Sequence, residues 1–274
     1  MIHPWVPMIS LRRYLSLYGA LCRISIIQEM MFKVNFLLWI LVEGLWFALQ
    51  LAFMGVLYEH TDSIGGWTKW EVILLSGASQ FLMQLVSITF MSNLTNLSES
   101  IRTGKLDFFL LLPVNARFLI STRKFEVGNV VNALLGLIVM GYALHRLQVS
   151  PSLLHYVGFG LLCGAGLLVH YSLMFLLASI AFWTVRSQGI VWGYYNLFNI
   201  ARLPDAAFPR GAFRAVFTFV VPMLLVSNVP VKLLTDRLTS PGEMFLLVGM
   251  ALGCFAVSEW VWRHAIRQYT SASS

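Results

Sequence analysis

Charge is what this sequence has least of. Asp, Glu, Lys and Arg together make up 11% of its 274 residues, against about a quarter in an ordinary soluble domain. A soluble fold could not clothe its surface with so little, so a water-exposed globule is excluded. Cysteine is nearly absent as well. Cys22, Cys163 and Cys254 are dispersed, without CxxC or other metal-ligand spacing, which excludes a disulfide framework or a structural zinc site. No GxxxxGK[ST] loop occurs, because Gly104-Lys105 has neither the earlier glycine nor the following hydroxyl. HExxH and GxSxG are missing too. The chain therefore offers no phosphate cradle, no zincin helix and no nucleophile elbow, and no cofactor is expected on it.

Apolar sequence is what it has instead. Hydrophobic residues make up 58% and aromatics 14%, with Trp and Tyr flanking several long apolar runs, as rings anchored at a membrane interface do. A span needs about 20 apolar residues, and Val34–Tyr58, Val72–Met91, Val127–Leu144, the run Pro151–Trp183 and Met244–Trp262 each qualify. The predicted fold class is an all-α membrane protein of about six transmembrane helices, in one domain over residues 1–274. Ahead of the first span, residues 9–32 interleave Ile9, Leu11, Leu15, Tyr18 and Leu21 with Arg12, Arg13, Ser16 and Arg23. Spacing of three and four residues puts the apolar set on one face, predicting a helix on the membrane surface.

The region between Val185 and Glu243 admits two parses. Hydropathy nominates Phe213–Val229 as the fifth span, although Pro222 sits within it and Pro204, Pro209 and Pro230 flank it. Alternatively Gln188–Leu203 spans, and residues 204–235 dip into the membrane and return, which is tolerated only where protein or water meets the open backbone. Basic residues before span one (Arg12, Arg13, Arg23, Lys33) and after span two (Arg102, Lys105, Arg117, Arg123, Lys124) place both termini in the cytoplasm. The same rule prefers the first parse, because the second carries Arg202, Arg210 and Arg214 outside. It also explains the net charge of +7 by topology, with no nucleic-acid partner.

Few residues suggest chemistry. Glu43 is a lone carboxylate deep in a span, where a charge costs roughly 2.5–3.5 kcal/mol. It lines a path or interface, or it is protonated and bonded to a neighbouring helix. His170, inside the fourth run, is expected to be buried and hydrogen-bonded, and Glu259 to pair with Arg263 one turn on. Gly160-Leu-Leu-Cys-Gly164 and Gly249-Met-Ala-Leu-Gly253 fit close helix packing within the subunit. Asn96 followed by Glu99 reads as a capping box, and Gly104 as the stop of a short helix. Leu97 and Ile101 would share one face of that helix, apart from Arg102 and Lys105.

In order along the chain, Ile101-Arg-Thr-Gly104-Lys-Leu106-Asp107, Leu112-Pro113, Ala181-Phe182-Trp183, Arg202-Leu203-Pro204, Phe208-Pro209, Phe217-Thr-Phe-Val-Val-Pro222 and Asn228-Val-Pro230 resemble the type-2 ATP-binding-cassette exporter permeases, over nearly the whole length. The resemblance implies a dimer with an identical or paralogous permease in the plasma (inner) membrane, and two copies of a separate ATPase subunit that bind ATP and Mg. It assigns ATPase coupling to residues 96–107, with Asn96, Leu97, Glu99, Ile101, Arg102, Gly104, Lys105 and Asp107 as the contact set. It favours an outer re-entrant helical pair at 204–235. A lipid-modifying membrane enzyme and a non-transporting structural protein are the competing readings, and clustered polar groups at an interface would favour the enzyme.

Overall fold

The computed structural model describes residues 11–184 and 187–269. Ile9, at the start of the predicted surface helix, and Arg186 lie outside them. Regular structure among the described residues is helical. Helix α1 (Leu11–Met31) leads at Phe32 into α2 (Lys33–Leu57). The second span, α3 (Lys69–Val86), continues through a π-turn (Ser87–Met91), α4 (Ser92–Thr95) and α5 (Leu97–Arg102) as one 34-residue helical run, about 50 Å long at 1.5 Å per residue. Gly104 reverses the chain into α6 (Lys105–Leu111), and α7 (Ala116–Thr122) leads back to α8 (Gly128–Leu147). Next come α9 (Leu153–Ser179), extended to Phe182 by a 3-10 turn, and α10 (Gln188–Leu197), extended to Arg202 likewise. Helix α11 (Ala212–Ala215) runs into a π-turn to Val220 and is followed by α12 (Met223–Leu234) and α13 (Gly242–Gln268).

Five of these runs are long and apolar enough to cross a membrane: α2, α3–α5, α8, α9 and α13. The pair Ala212–Val220 and Met223–Leu234, bent by 79° at Val221–Pro222, makes a sixth if it is taken as one span. Proline at 222 removes a backbone donor and clashes with the preceding turn, so a helix cannot run straight through it.

Sequence decides which spans are central. Helix α3 carries Ser76, Ser79, Gln80 and Gln84, which hydrocarbon would leave unsatisfied, and all four are buried. Helix α2 is apolar on nearly every side and exposes Leu37, Leu41, Leu45, Trp46 and Leu49. Lipid or a second membrane protein is the natural cover for such a surface.

Close packing comes from glycines other than those expected. A Cβ on Gly77 would lie 3.0 Å from the Gly136 carbonyl, and one on Gly136 would lie 2.9 Å from the Gly77 carbonyl, so α3 and α8 touch backbone to backbone. Gly158 and Gly166 admit Leu233 and Val226 of α12 against α9. Gly160, Gly164, Gly249 and Gly253 face open space, with nothing within 4 Å of a built Cβ. Their predicted role in packing the subunit is corrected accordingly: the spacing was right for a small-residue face, but that face of each helix points outward.

Candidate transport pathway and coupling element

The bundle has two ends, one marked by the turn at Gly104 and the other by the turn at Gly65. At the Gly104 end, α5 is not a separately capped helix. Asn96 has helical backbone angles (φ −85°, ψ −1°); its side-chain amide donates to the Ser92 carbonyl at 2.6 Å, and its own carbonyl accepts from the Ser100 N–H at 3.0 Å, so the second span carries on past it. Glu99 accepts instead from Arg102, at 2.8–3.0 Å. The predicted capping box is thus replaced by an i,i+3 ion pair on an unbroken run. Gly104 does stop it, in the left-handed conformation at φ +71°, with its N–H bonded to the Ile101 carbonyl. That conformation suits glycine because a Cβ is penalised there.

The predicted contact set divides by burial. Leu97 is 1% exposed and Ile101 is half-buried against the same core, so Leu97 and part of Ile101 hold the turn to its own chain. Asn96, Glu99, Arg102 and Lys105 are exposed, with Gly104 and Asp107 half-exposed. The outward apolar groups lie one helix further on, where Phe108 is 70% and Leu111 81% exposed. The sides of the turn follow the spacing, with Leu97 and Ile101 on the inward face and Arg102 and Lys105 on the outward one.

Two further arrangements brace this end. Arg117, counted from sequence as a loop charge, is buried. It donates to Glu259 at 2.5 Å, Ser258 at 2.7 Å and Tyr171 at 2.9 Å, and lies 4.3 Å from the Phe175 ring centroid. Glu259 also accepts from Arg263 at 2.7 Å, as expected. Helix α1 docks through side-chain oxygens. Ser25 accepts from the Phe125 N–H at 3.0 Å, and Glu29 accepts from the N–H groups of Val127 and Gly128 at 3.0 and 3.1 Å, capping α8 from almost a hundred residues away. Burial raises the Glu29 pKa above the ordinary carboxylate value, against the lowering effect of those two amides. Both α1 and the C-terminal end of α13 meet the bundle at its Gly104 end, the latter through Phe182 packed on Trp262 and Tyr269.

Halfway along the bundle lies a polar cluster. Gln84 donates to Glu43 at 3.5 Å, a long hydrogen bond, and Arg202 donates to Gln80 at 3.1 Å. Ser87 and the Tyr195 hydroxyl are 2.8 Å apart, and Ser79 donates to the Ala201 carbonyl. Gln84 Oε1, Gln50 Oε1 and Arg202 Nε are enclosed without a partner. Glu43 therefore joins a group that sequence reasoning did not assemble. A signal existed: Ser76, Ser79, Gln80, Met83, Gln84 and Ser87 recur at spacings of three and four along α3. His170 is buried as expected, 2.7 Å from the Tyr194 hydroxyl.

At the Gly65 end, Thr68 and Glu71 form a capping box, the Thr68 N–H donating to the Glu71 carboxylate at 2.7 Å. Glu71 also pairs with Arg237 at 2.5 Å, and Arg237 donates to the Gly66 carbonyl at 3.0 Å. The backbone at Ala206–Ala207 closes on Gly65 from the other side. Asp205 accepts from Arg214 at 3.1 Å and Lys232 at 2.9 Å, and Lys232 reaches Glu243 at 3.0 Å. The segments before and after the bent helix pair thus meet at one end of the bundle. No His/Cys/Asp/Glu cluster able to hold a metal occurs among the described residues.

A helical bundle with a polar cluster at mid-height fits a permease. The family model described as ABC-2 family transporter protein matches residues 45–273. This chain belongs to the ABC-2 transporter family. No match was found among curated proteins or solved structures. Membership makes the chain a multi-pass membrane protein with a transport permease role. The match spans every element named here except α1 and the first part of α2.

Proposed function

We propose that this permease is the membrane-spanning subunit of an ATP-driven exporter in the inner membrane, pairing with an identical or paralogous permease and with two copies of a separate ATPase subunit. ATP and Mg bind that partner. The Gly104 end is cytoplasmic, as its basic residues Arg12, Arg13, Arg23, Lys33, Arg123 and Lys124 favour, and residues 204–235 form a re-entrant pair at the outer end. The observation that carries this reading is the unbroken run from Lys69 to Arg102, ending in the Gly104 turn. A push on residues 96–107 is transmitted along a rod whose middle bears Gln80 and Gln84, beside Glu43 and Arg202. Closure of the ATPase thereby moves the polar cluster that lines the path.

Burial sets the test. Ile101→Asp would damage the chain's own packing before it spoke to a partner, whereas Phe108 and Leu111 face out. An apolar anchor that is a hot spot at an interface core contributes about 2 kcal/mol or more, so about 30-fold or more in affinity. Phe108→Asp with Leu111→Asp is expected to release the ATPase, or to uncouple hydrolysis from transport, while the chain still inserts and dimerises. Retention of the full ATPase complement and of coupled activity would overturn the coupling assignment. Thr61→Asp, at the Gly65 end, is the control and leaves the complex intact.

A further inference from the structure

We propose that the cleft at the Gly65 end is a binding site for an anionic amphiphile, with its acidic head group held by Arg210 and Arg214 and its apolar part along Phe219 and Leu246. The cleft is open on one side and measures about 700 Å³, a size typical of sites for drug-sized ligands and far beyond what an inorganic anion fills. Four basic residues line it, Arg210, Arg214, Lys232 and Arg237, against two acidic ones, Asp205 and Glu243. Those charges are not equally committed. Lys232 is held between Asp205 and Glu243, and Arg237 between Glu71 and the Gly66 carbonyl. Arg214 shares with Lys232 the single carboxylate of Asp205. Arg210 has no ion pair among the described residues and is exposed. Uncompensated positive charge is therefore concentrated at Arg210 and Arg214, on and just before α11.

The other wall is apolar. Phe219 is exposed, and Leu225 and Leu246 line the same cavity. The run Ala212–Val220 also presents Phe213, Val216 and Val220 outward, so the cleft opens beside a surface that lipid would cover. Charge at one wall and hydrocarbon at the other select a ligand with both characters. An inorganic anion satisfies only the first, and a zwitterionic lipid gains less from the excess of cations, because its own cationic group is repelled there.

The assignment deepens the export reading, since it sets the ligand at the proposed exit end, but its test needs no ATPase. The purified full-length permease in neutral detergent is titrated with dioctanoyl phosphatidylglycerol, dioctanoyl phosphatidylcholine and inorganic phosphate, and occupancy is read by native mass spectrometry. Phosphatidylglycerol is expected to bind saturably and at least about tenfold more tightly than either of the others, the scale of one charge-assisted hydrogen bond. Arg210→Ala with Arg214→Ala should remove that preference, and Leu246→Ser should weaken the lipid without changing phosphate. Arg210→Ala alone, at an exposed and unpaired position, checks the site in a variant whose packing is untouched. Equal binding of the two lipids, phosphate binding as tightly as the lipid, or a preference that survives the double substitution each overturns the site. Loss of the site with coupled ATPase activity intact leaves the export reading standing. An intact site in a chain that recruits no ATPase does the reverse.

Discussion

Glu43 and Glu29 show two ways a carboxylate can be kept away from water. Glu43 sits in a span with Gln84 as its nearest polar partner, so its loss is felt through the amide left behind. Glu43→Gln keeps a hydrogen-bonding side chain and is expected to preserve assembly while changing transport or the coupled ATPase rate. Glu43→Leu leaves Gln84 wholly unpaired, at about 1–3 kcal/mol, and should be the worse of the two in both transport and heat inactivation. Wild-type behaviour in both would mark Glu43 as packing alone. Glu29 lies outside the spans, and its raised pKa gives its stability contribution a sign. A carboxyl raised in the folded state favours folding most at pH below its unfolded value, and that gain is lost as pH rises through the folded value. Resistance to heat inactivation in detergent should therefore fall with rising pH in that window, and Glu29→Gln should flatten the profile. Glu29→Ala flattens the profile likewise and also removes the acceptor that caps α8, so it is expected to be about 1 kcal/mol less stable than Glu29→Gln.

At the scale of elements, the contact of α3 with α8 has the least slack. Each backbone occupies the space a Cβ would need on the other, at Gly77 and Gly136. Gly136→Val must separate the two helices, with a loss of about 1–3 kcal/mol or more, visible as a lower inactivation temperature and poor yield. Gly160→Val and Gly253→Val meet open space and should leave the subunit's stability unchanged. Equal damage at Gly160 and Gly136 would sink this account of the packing. The rod Lys69–Arg102 depends on the same contact, so a Gly136 variant that still folds should also transmit less well between ATPase and polar cluster. Arg117 braces that rod's far end by joining α7 to α9 and α13 at Tyr171 and Glu259.

The whole molecule turns on where residues 204–235 lie. The contacts of Ala206–Ala207 with Gly65, and of Arg237 with Gly66 and Glu71, bring both flanks of the bent pair to one end. The segment Gln188–Arg202 has ten α-helical and five 3-10 residues, about 25 Å, which is short for a hydrocarbon core of about 30 Å. It ends where Arg202 enters the polar cluster. In a background with the three native cysteines replaced by serine, Arg210→Cys and Ser240→Cys should both react with an impermeant reagent added from outside. Reaction at position 240 alone would make Ala212–Leu234 a single broken span.

Much of this protein was decided by composition and period alone. The scarcity of charge and the apolar runs of about 20 residues required a helical membrane bundle, because in hydrocarbon the backbone must be satisfied internally and runs of that length do so as helices. Short ordered motifs carried the family, and Gly104 carried its turn, since a left-handed residue at a helix end is a local matter. What tertiary structure alone decided is which side of each helix meets another. Leu97 and Phe108 are equally apolar in sequence, yet one is buried and the other exposed because the second span runs through Asn96 without a break. Gly77 and Gly136 pack while the better-spaced Gly160 and Gly164 do not. Arg202, Gln80, Gln84 and Glu43 are scattered along 160 residues and become one cluster only when α2, α3 and the end of the α10 segment are laid side by side. Side-chain identity fixes what a residue needs, but its partner comes from other helices, and their register is set by packing over the whole bundle.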